Sequence, residues 1–208
     1  MKVTLLRVTN DPEELIQQAA AICTDKDPSQ SGMMTAINSG HHSITEHTSF
    51  TFLIEDVSRV LLAQITRHRI ASFSVQSQRY VDMKQMPVIV PPTIQADPEM
   101  MQDFDDIMTR VRNFYHKAVA RGIPREDARY PAPGAACTKF IMTMNTRELL
   151  HFVGLRECNK AQWEIRSLAE QVLEICKNYM PHVFAHAGAP CRSGHCPEER
   201  PCKEGPKA

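Results

Sequence analysis

The sequence lacks both a net charge and a long apolar run. Its 24 lysines and arginines equal its 24 aspartates and glutamates, so the overall charge does not indicate a nucleic-acid-binding surface. No apolar run approaches the roughly 20 residues that a membrane-spanning helix needs. The N-terminal stretch MKVTLLRVT alternates as a strand does, whereas a signal peptide has a continuous apolar core. We therefore expect a cytoplasmic protein with neither a nucleic-acid nor a membrane partner.

The sequence also lacks the motifs of several cofactor sites. No glycine-rich loop of the Rossmann type occurs, so a dinucleotide cannot be held in the usual way. Residues 41–47 contain three histidines and one glutamate, but not at the spacing of a zincin helix. The tail carries Cys191, His195, Cys196 and Cys202, with cysteine spacings of five and six and no paired CxxC knuckle. Two interpretations of this tail are possible: a zinc site, or reduced or redox-active thiols without metal. We predict no metal.

What the sequence does contain is a cation-rich stretch at residues 67–80, which reads RHRIASFSVQSQRY. Arginine suits phosphate because its planar guanidinium gives bidentate, charge-assisted hydrogen bonds at any working pH. Arg67 and Arg69 flank His68, so in an extended backbone the arginines share one face and the histidine points to the other. Residues 57–66 have the apolar spacing of a short, buried helix. Because this predicted helix would hold the arginines that follow it, it favours a preorganised anion site over the alternative of a solvated basic loop.

Apolar periodicity predicts most of the remaining elements. Strands are predicted at residues 2–9, 49–56 and 139–144, and a long amphipathic helix at residues 97–121. Asp11 and Asp97 each precede a proline, which is typical of a capped helix start. A chain of 208 residues can bury one good core. We predict one domain at residues 1–185 and a cysteine-containing tail at residues 186–208.

The cation-rich stretch resembles the flavin-dependent thymidylate synthase family. In register with the pattern of that family are Arg67, His68, Arg69, Ser72, Ser77, Arg79 and Tyr80. Ser74 and Val75 stand where the family has Asn-Glu, and the side chain of Val75 cannot accept a hydrogen bond.

The resemblance continues along nearly the whole chain, from about residue 2 to residue 180. Ser43 lies in a histidine-containing segment that precedes a Phe-Thr-Phe strand, and Arg129 lies in an Ala-Arg pair shortly before a proline. Asn145, Arg147 and Arg156 match the family's spacing in a later helix, with His151 between them. Beside Arg129, Arg125 and Glu126 are expected to form a surface ion pair of little energetic value.

The resemblance implies both a fold and a reaction. The implied fold is α+β, a single domain with a mixed or antiparallel sheet and long helices, assembled as a homotetramer with shared active sites. The implied reaction is the reductive methylation of dUMP to dTMP, with 5,10-methylenetetrahydrofolate as one-carbon donor and FAD reduced by NADPH. No cysteine lies among the arginine-rich segments, so the pyrimidine ring must be activated without a cysteine nucleophile.

The resemblance also implies residue roles. Arg156 is the predicted catalytic residue, because a guanidinium can stabilise the negative charge that develops when the uracil imide loses its proton. The predicted FAD-binding residues are Ser43, Arg67, His68, Arg69, Asn145, Arg147 and His151. The predicted dUMP-binding residues are Gln64, Arg67, Gln76, Ser77, Gln78, Arg79, Arg129 and Arg156. Two other functions are left open: another nucleotide-modifying flavoprotein on the same fold, and a non-enzymatic nucleotide-binding module.

Overall fold

The computed structural model describes residues 1–83, 85–194 and 196–202, and within them it has four strands and nine α-helices. The strands are β1 (Lys2–Val8), β2 (Ser49–Ser58), β3 (Ala71–Val75) and β4 (Cys137–Asn145). The helices are α1 (Pro12–Thr24), α2 (Met33–Asn38), α3 (Arg59–Ile65), α4 (Pro92–Gln95), α5 (Pro98–Ala120), α6 (Arg125–Ala128), α7 (Thr146–Arg156), α8 (Trp163–Tyr179) and α9 (Pro181–Phe184). Short 3₁₀ helices cover Pro28–Gln30, His42–His47 and Pro190–Ser193. None of the helices in these ranges is both long and apolar enough to cross a membrane.

The strands form one antiparallel sheet in the order β1-β2-β4-β3. This confirms the predicted fold class, a single α+β domain with a mixed or antiparallel sheet and long helices. The predicted strands at 2–9, 49–56 and 139–144 correspond to β1, β2 and β4. Strand β3 was not predicted, although Ala71–Val75 alternates apolar and polar residues, because we interpreted the whole stretch 67–80 as an anion site. The strand lies at the edge of the sheet, and its residues are all exposed or half-buried.

Within this domain the chain divides into two compact units. The first comprises Met1–Ile54, Gln64–Phe73 and Ile141–Ala208, and the second comprises Glu55–Ala63 and Ser74–Phe140. The described residues of the C-terminal tail belong to the first unit. The predicted boundary at residue 185 stays a prediction.

The core of the first unit is built on aromatic side chains of β2. The ring of Phe50 stacks on that of Phe52 at 6.0 Å and meets Phe184 edge-on at 6.3 Å. Helix α8 adds its predicted apolar face, and the residues of this face, all buried, are Ile165, Leu168, Val172, Leu173 and Cys176. Truncating a buried ring such as that of Phe50 would cost about 3–5 kcal/mol.

The second unit packs around α5. Asp97 caps this helix, because its side chain accepts hydrogen bonds from the backbone N–H groups of Glu99 and Met100. Tyr115 is buried with Met83 and Met86, and its hydroxyl accepts a hydrogen bond from the Met83 N–H at 3.4 Å. The predicted N-cap is thus present in α5.

The cap predicted for α1 is wrong. Asp11 has a left-handed backbone conformation, with φ of 45°, and its side chain makes no cap hydrogen bond. The Asp-Pro pair therefore predicted the start of the helix correctly. It did not predict how the first N–H groups of the helix are hydrogen-bonded.

Candidate active site

The cation-rich stretch begins where α3 ends in a turn. The backbone N–H of Arg67 donates to the carbonyl of Gln64, and that of His68 donates to the carbonyl of Ile65. This turn leaves Arg67 and Arg69 exposed and buries His68, which is only 4% exposed. The arginines and the histidine are thus separated, with the histidine buried, but a turn separates them and not the extended backbone that the prediction assumed.

His68 is held from both sides of its ring. Its Nδ1 lies 2.7 Å from Oε1 of Glu148, and Nε of Arg156 donates to its Nε2 at 3.3 Å. A guanidinium N–H can only donate, so Nε2 must be the acceptor and Nδ1 must carry the proton that reaches Glu148. Burial lowers the pKa of His68, although the hydrogen bond that it donates to Glu148 acts in the opposite direction. Both observations indicate a neutral imidazole.

Glu148 also reaches His151, one turn further along α7. The Nδ1 of His151 lies 3.3 Å from the same Oε1 atom, and the His68 and His151 rings are 5.4 Å apart. Asn145 caps α7, since its side chain accepts the backbone N–H of Glu148 at 2.9 Å. Asn145 therefore holds the helix turn that presents Glu148 and His151. Its predicted contact with a flavin stays a prediction.

Arg156 ends α7 and is half-buried. Its pKa is lowered, first by burial and then by the positive charge of Arg67, so the two guanidinium groups are close enough to repel each other. The hydrogen bond to His68 goes to a neutral ring and does not neutralise the charge of Arg156. Two arginines held together in this way create a local positive potential that attracts an anionic ligand.

The 3₁₀ helix His42–His47 is fastened to the start of α7. Arg147 forms an ion pair with Glu46, and the hydroxyls of Thr48 and Thr146 share a buried hydrogen bond of 2.6 Å. Ser43 is exposed on this 3₁₀ helix. The fold thus fixes the segment that carries Ser43 beside the segment that carries Arg147.

A metal ion is a chemical alternative for the histidines. His68, Glu148 and His151 place three potential ligand atoms within 4.8 Å of one another, and no other such trio was found in the part of the chain that the structure describes. Nε2 of His68, however, already accepts from a guanidinium, and Arg67 adds a second positive charge nearby. These charges disfavour a cation and favour an anion, so we keep the prediction of no metal at this position.

The second unit carries the remaining predicted nucleotide residues in a turn that follows β3. Oγ of Ser77 accepts the backbone N–H of Arg79 at 3.3 Å, and the N–H of Gln76 donates to the carbonyl of Lys139 at 3.0 Å. The Nε2 atom of Gln78 is buried and has no hydrogen-bond partner among the described residues. An unpaired buried amide of this kind costs about 1–3 kcal/mol and is available to a ligand.

Arg79 and Arg129 meet at Glu126. Nε of Arg79 donates to a Glu126 carboxylate oxygen at 2.9 Å, and Nε of Arg129 donates to the Glu126 carbonyl at 3.1 Å. Arg125 instead donates to the carbonyl of Tyr80 at 3.1 Å. The predicted Arg125–Glu126 pair is therefore wrong, because Glu126 turns to the cation-rich stretch. A cleft of about 310 Å³ opens between Arg79 and Arg125, with Tyr80 as an aromatic wall.

A larger cavity of about 560 Å³ lies in the same unit, and Gln76 and Gln78 line part of it. Sequence analysis missed the other polar wall residues, which are Glu55, Asp56, Asp82, Gln85, Cys137, Thr138 and Lys139. They come from the end of β2, the start of β4 and the segment after Tyr80, and no local pattern links these three segments. The pKa of Cys137 is raised by burial and by the charge of Asp56. Carboxylates in the wall make this cavity unsuitable for a phosphate group.

The two units each gather part of the predicted site. The first unit holds Ser43, Gln64, Arg67, His68, Arg69, Asn145, Arg147, His151 and Arg156, and the second holds Gln76, Ser77, Gln78, Arg79 and Arg129. Within the first unit, Nε2 of Gln64 donates to Gln162 at 3.4 Å, which connects the end of α3 to the N-cap of α8.

Fold and site together define an α+β protein with two arginine-rich clusters, and its sequence has no Rossmann-type glycine-rich loop. The sequence model of the family described as thymidylate synthase complementing protein matches residues 4–182. Similar curated proteins include a flavin-dependent thymidylate synthase of Geobacter sulfurreducens, 43% identical over 95% of this chain and 91% of the relative. A protein of the same name from Nitratidesulfovibrio vulgaris is 47% identical over 78% of this chain and 70% of the relative. One from Pyrococcus furiosus is 38% identical over 95% and 90%.

The chain therefore belongs to the flavin-dependent thymidylate synthase family, and it is an enzyme of thymidylate synthesis. This confirms the family and the enzyme class that the sequence analysis predicted from the cation-rich stretch.

Proposed function

We propose that this chain converts dUMP to dTMP with 5,10-methylenetetrahydrofolate as one-carbon donor, FAD as redox cofactor and NADPH as reductant. The observation that carries the proposal is the half-buried guanidinium of Arg156, fixed by the neutral ring of His68 and close to Arg67. A preorganised positive charge of this kind stabilises negative charge that develops during a reaction. Family membership supports the substrate class.

The donor set of the first unit fits a flavin dinucleotide. Arg67, Arg69 and Arg147 are exposed guanidinium groups, and such groups bind a pyrophosphate without a glycine-rich loop. We propose that they hold the cofactor together with Ser43, His68, Asn145 and His151. When bound, reduced FAD would supply the hydride that completes the methyl group. Because His68 and Asn145 already bond within the protein, their proposed contribution is to position Arg156 and the first turn of α7.

Two groups of residues are proposed for nucleotide binding. Arg79 and Arg129 are the proposed phosphate ligands, since both donate to Glu126, Arg79 to its carboxylate and Arg129 to its backbone carbonyl, and a phosphate can replace that carboxylate. Gln76, Ser77 and Gln78 offer neutral donors, and the unpaired Nε2 of Gln78 supports their place in a ligand site. Gln64, Arg67 and Arg156 are proposed for the pyrimidine.

Arg156 is the proposed catalytic residue. Loss of the N3 proton from uracil leaves a negative charge on the ring and increases electron density at C5, where the new carbon–carbon bond forms. A guanidinium placed at the imide edge stabilises that charge, and one well-placed donor of this kind is typically worth about 2.7–4 kcal/mol. His68 acts on this step only through Arg156, by holding its guanidinium.

The state of the cysteines supports activation without a cysteine nucleophile. Burial raises the pKa of Cys176, and burial together with Asp56 raises that of Cys137. A nucleophilic cysteine needs a lowered pKa. Cys137 also lies in the cavity with carboxylate walls.

We also propose that the enzyme is a homotetramer with shared active sites. Met100, Ile107 and Phe114 are exposed on α5 at intervals of seven residues, which aligns them in one apolar stripe. A stripe of this kind suits a subunit contact. Light scattering of the purified protein measures the number of chains.

The test of the function is an anaerobic spectroscopic experiment on the purified protein. NADPH is added with and without dUMP, the flavin absorbance is followed, and methylenetetrahydrofolate is then added while dTMP is measured. Bleaching that reverses as dTMP forms supports the proposal. Bleaching without dTMP would favour another nucleotide-modifying flavoprotein, a reading to which the exposed Val75 lends weight. A protein that cannot be reconstituted with FAD would favour a nucleotide-binding module.

A further inference from the structure

The loop between α7 and α8 holds the C-terminal tail by its first residues. The carboxylate of Glu157 is buried, and its Oε2 accepts the backbone N–H of Ala189 and Nε of Arg192, both at 2.8 Å. Gly188 has a positive φ of 133°, and a Cβ at this position would collide with the same carboxylate. The start of the tail is therefore docked on Glu157 by a contact that requires a glycine.

The same loop holds the far end of the described tail. Nζ of Lys160 lies 2.7 Å from a carboxylate oxygen of Glu198, and Nδ2 of Asn159 lies 3.9 Å from Sγ of Cys202. Glu157, Asn159 and Lys160 thus bind three separate parts of the tail. Cys158 lies among them, so the fold brings it to the tail cysteines.

The outcome is a cluster of four cysteines, which we call the thiol cluster: Cys158, Cys191, Cys196 and Cys202. All four are half-buried and free of disulfide bonds. Each of the four lies at or within two residues of a contact between the loop and the tail: Cys158 follows Glu157, Cys191 precedes Arg192, Cys196 lies two residues before Glu198, and Cys202 itself contacts Asn159. His195, the other residue of the tail that we considered from sequence, lies outside the described residues.

We propose that the thiol cluster holds one structural Zn²⁺ ion through four thiolates. Four cysteines are the complete ligand set of a closed, tetrahedral zinc site. The sequence analysis considered three tail cysteines with His195 and predicted no metal, because their spacing lacks a paired CxxC knuckle; it did not consider Cys158, which lies 33 residues before Cys191. This proposal is independent of the proposed thymidylate chemistry, since it concerns a separate set of residues and needs no substrate.

The charges around the thiol cluster suit such a centre. Zn²⁺ with four thiolates carries two net negative charges, which nearby cations can compensate. Lys160 lies two residues after Cys158, and Glu198, which binds it, lies two residues after Cys196. Arg192 follows Cys191 directly and is fixed by Glu157. Two cations are therefore anchored beside the four thiols.

Binding must draw the sulfur atoms closer together. In a tetrahedral site with Zn–S bonds of about 2.3 Å the sulfur atoms lie about 3.8 Å apart. Among the residues that the structure describes, three ligand atoms come within 4.8 Å of one another only at His68, Glu148 and His151. The tail can make the adjustment, because it consists of a short 3₁₀ helix and turns. The ion would then fix the tail to the α7–α8 loop.

The first test is the metal content of the untagged, full-length protein, measured by inductively coupled plasma mass spectrometry. About one zinc ion per chain is expected for the wild type and for Cys23→Ser, the matched control at an exposed cysteine of α1. Cys158→Ser is expected to lose most of the zinc while its circular dichroism spectrum stays unchanged. A wild type without zinc, or a Cys158→Ser variant with its zinc retained, would overturn the proposal. Iron with acid-labile sulfide would overturn it as well.

A second measurement avoids dependence on one variant. A mercurial thiol reagent is added to the folded wild type, and the released zinc is followed with a chromogenic chelator. We expect zinc to be released in step with the modification of four thiols. If Cys158→Ser does not fold, Cys202→Ser replaces it as the test variant and should show no such release. Zinc that survives the modification of all reactive thiols, or cysteines found in disulfides without metal, would contradict a thiolate site.

Discussion

Arg156 donates a hydrogen bond from Nε to Nε2 of His68 over 3.3 Å, although 88 residues separate them in the sequence. Glu148 completes the chain of contacts on the other side of the imidazole, at 2.7 Å. The guanidinium is thereby fixed through a ring that carries no charge of its own. An anionic ligand beside Arg156 would meet a positive charge that has been oriented but not neutralised.

Replacement of Arg156 tests the proposed chemical role. Arg156→Ala should lower the rate of dTMP formation by about 10²–10³-fold or more, the usual effect of removing one stabilising donor. The flavin content per chain should stay unchanged, because the proposed work of Arg156 is on the pyrimidine. Both quantities are measured on the same preparation, with Arg110→Ala, an exposed arginine of α5, as control. Loss of flavin from Arg156→Ala would contradict the assignment.

The buried contact between Glu148 and His68 should be important for stability. Glu148→Ala leaves Nδ1 of His68 without its partner in a buried position, which should lower the free energy of unfolding by about 1–3 kcal/mol. Glu46→Ala removes an exposed ion pair with Arg147 and should cost at most about 1 kcal/mol. Urea unfolding of both variants measures the difference. Equal losses would show that burial does not distinguish the two contacts.

The lowered pKa of His68 predicts a pH dependence of stability. Since the folded protein disfavours the charged ring, the unfolded chain binds the proton more tightly. The contribution is complete above the ordinary histidine pKa of about 6.5 and is lost as the pH falls through the lower, folded value.

Unfolding measured from about pH 7.5 to about pH 5.5 should therefore show a steeper loss of stability for the wild type than for His68→Gln. The glutamine keeps a donor and an acceptor but does not titrate in this range. Identical slopes for the two proteins would mean that His68 does not cause the dependence.

Arg79 provides a test of the nucleotide site. Arg79→Ala should weaken dUMP binding by about 1.5–3 kcal/mol, or roughly 10–150-fold, if its hydrogen bonds to the phosphate are charge-assisted. Calorimetric titration of the enzyme with dUMP gives the dissociation constant, and Arg110→Ala again serves as the control. The flavin spectrum should not change. An unaltered dissociation constant would remove Arg79 from the site.

Cys137 tests the absence of a cysteine nucleophile. Its raised pKa disfavours the thiolate, so Cys137→Ser should keep dTMP formation within about threefold of the wild type. Steady-state rates at saturating dUMP measure this. A loss of several orders of magnitude in a variant with normal flavin content would assign Cys137 to the chemistry.

The order of elements was largely accessible from the sequence. Strands β1, β2 and β4 and helices α5 and α8 have clear apolar periods, and each is present in the structure. Capping was less predictable: Asp97 caps its helix and Asp11 does not, although both precede a proline. The two residues differ in their backbone φ, which is 45° at Asp11 and −113° at Asp97. This angle depends on the direction from which the preceding residues enter the helix.

The sequence by itself determined the family, through a run of fixed residue types at residues 67–80. It also determined that Arg67 and Arg69 are exposed while His68 between them is buried. These features depend on neighbours within a few residues, so composition and spacing record them.

Only the tertiary structure decided that Arg156 meets His68, that Glu126 pairs with Arg79 and not with Arg125, and that the loop around Cys158 contacts the cysteine-containing tail. Each of these contacts joins residues far apart in the chain. Their proximity follows from the path of the backbone and the packing of the core, which no local pattern encodes.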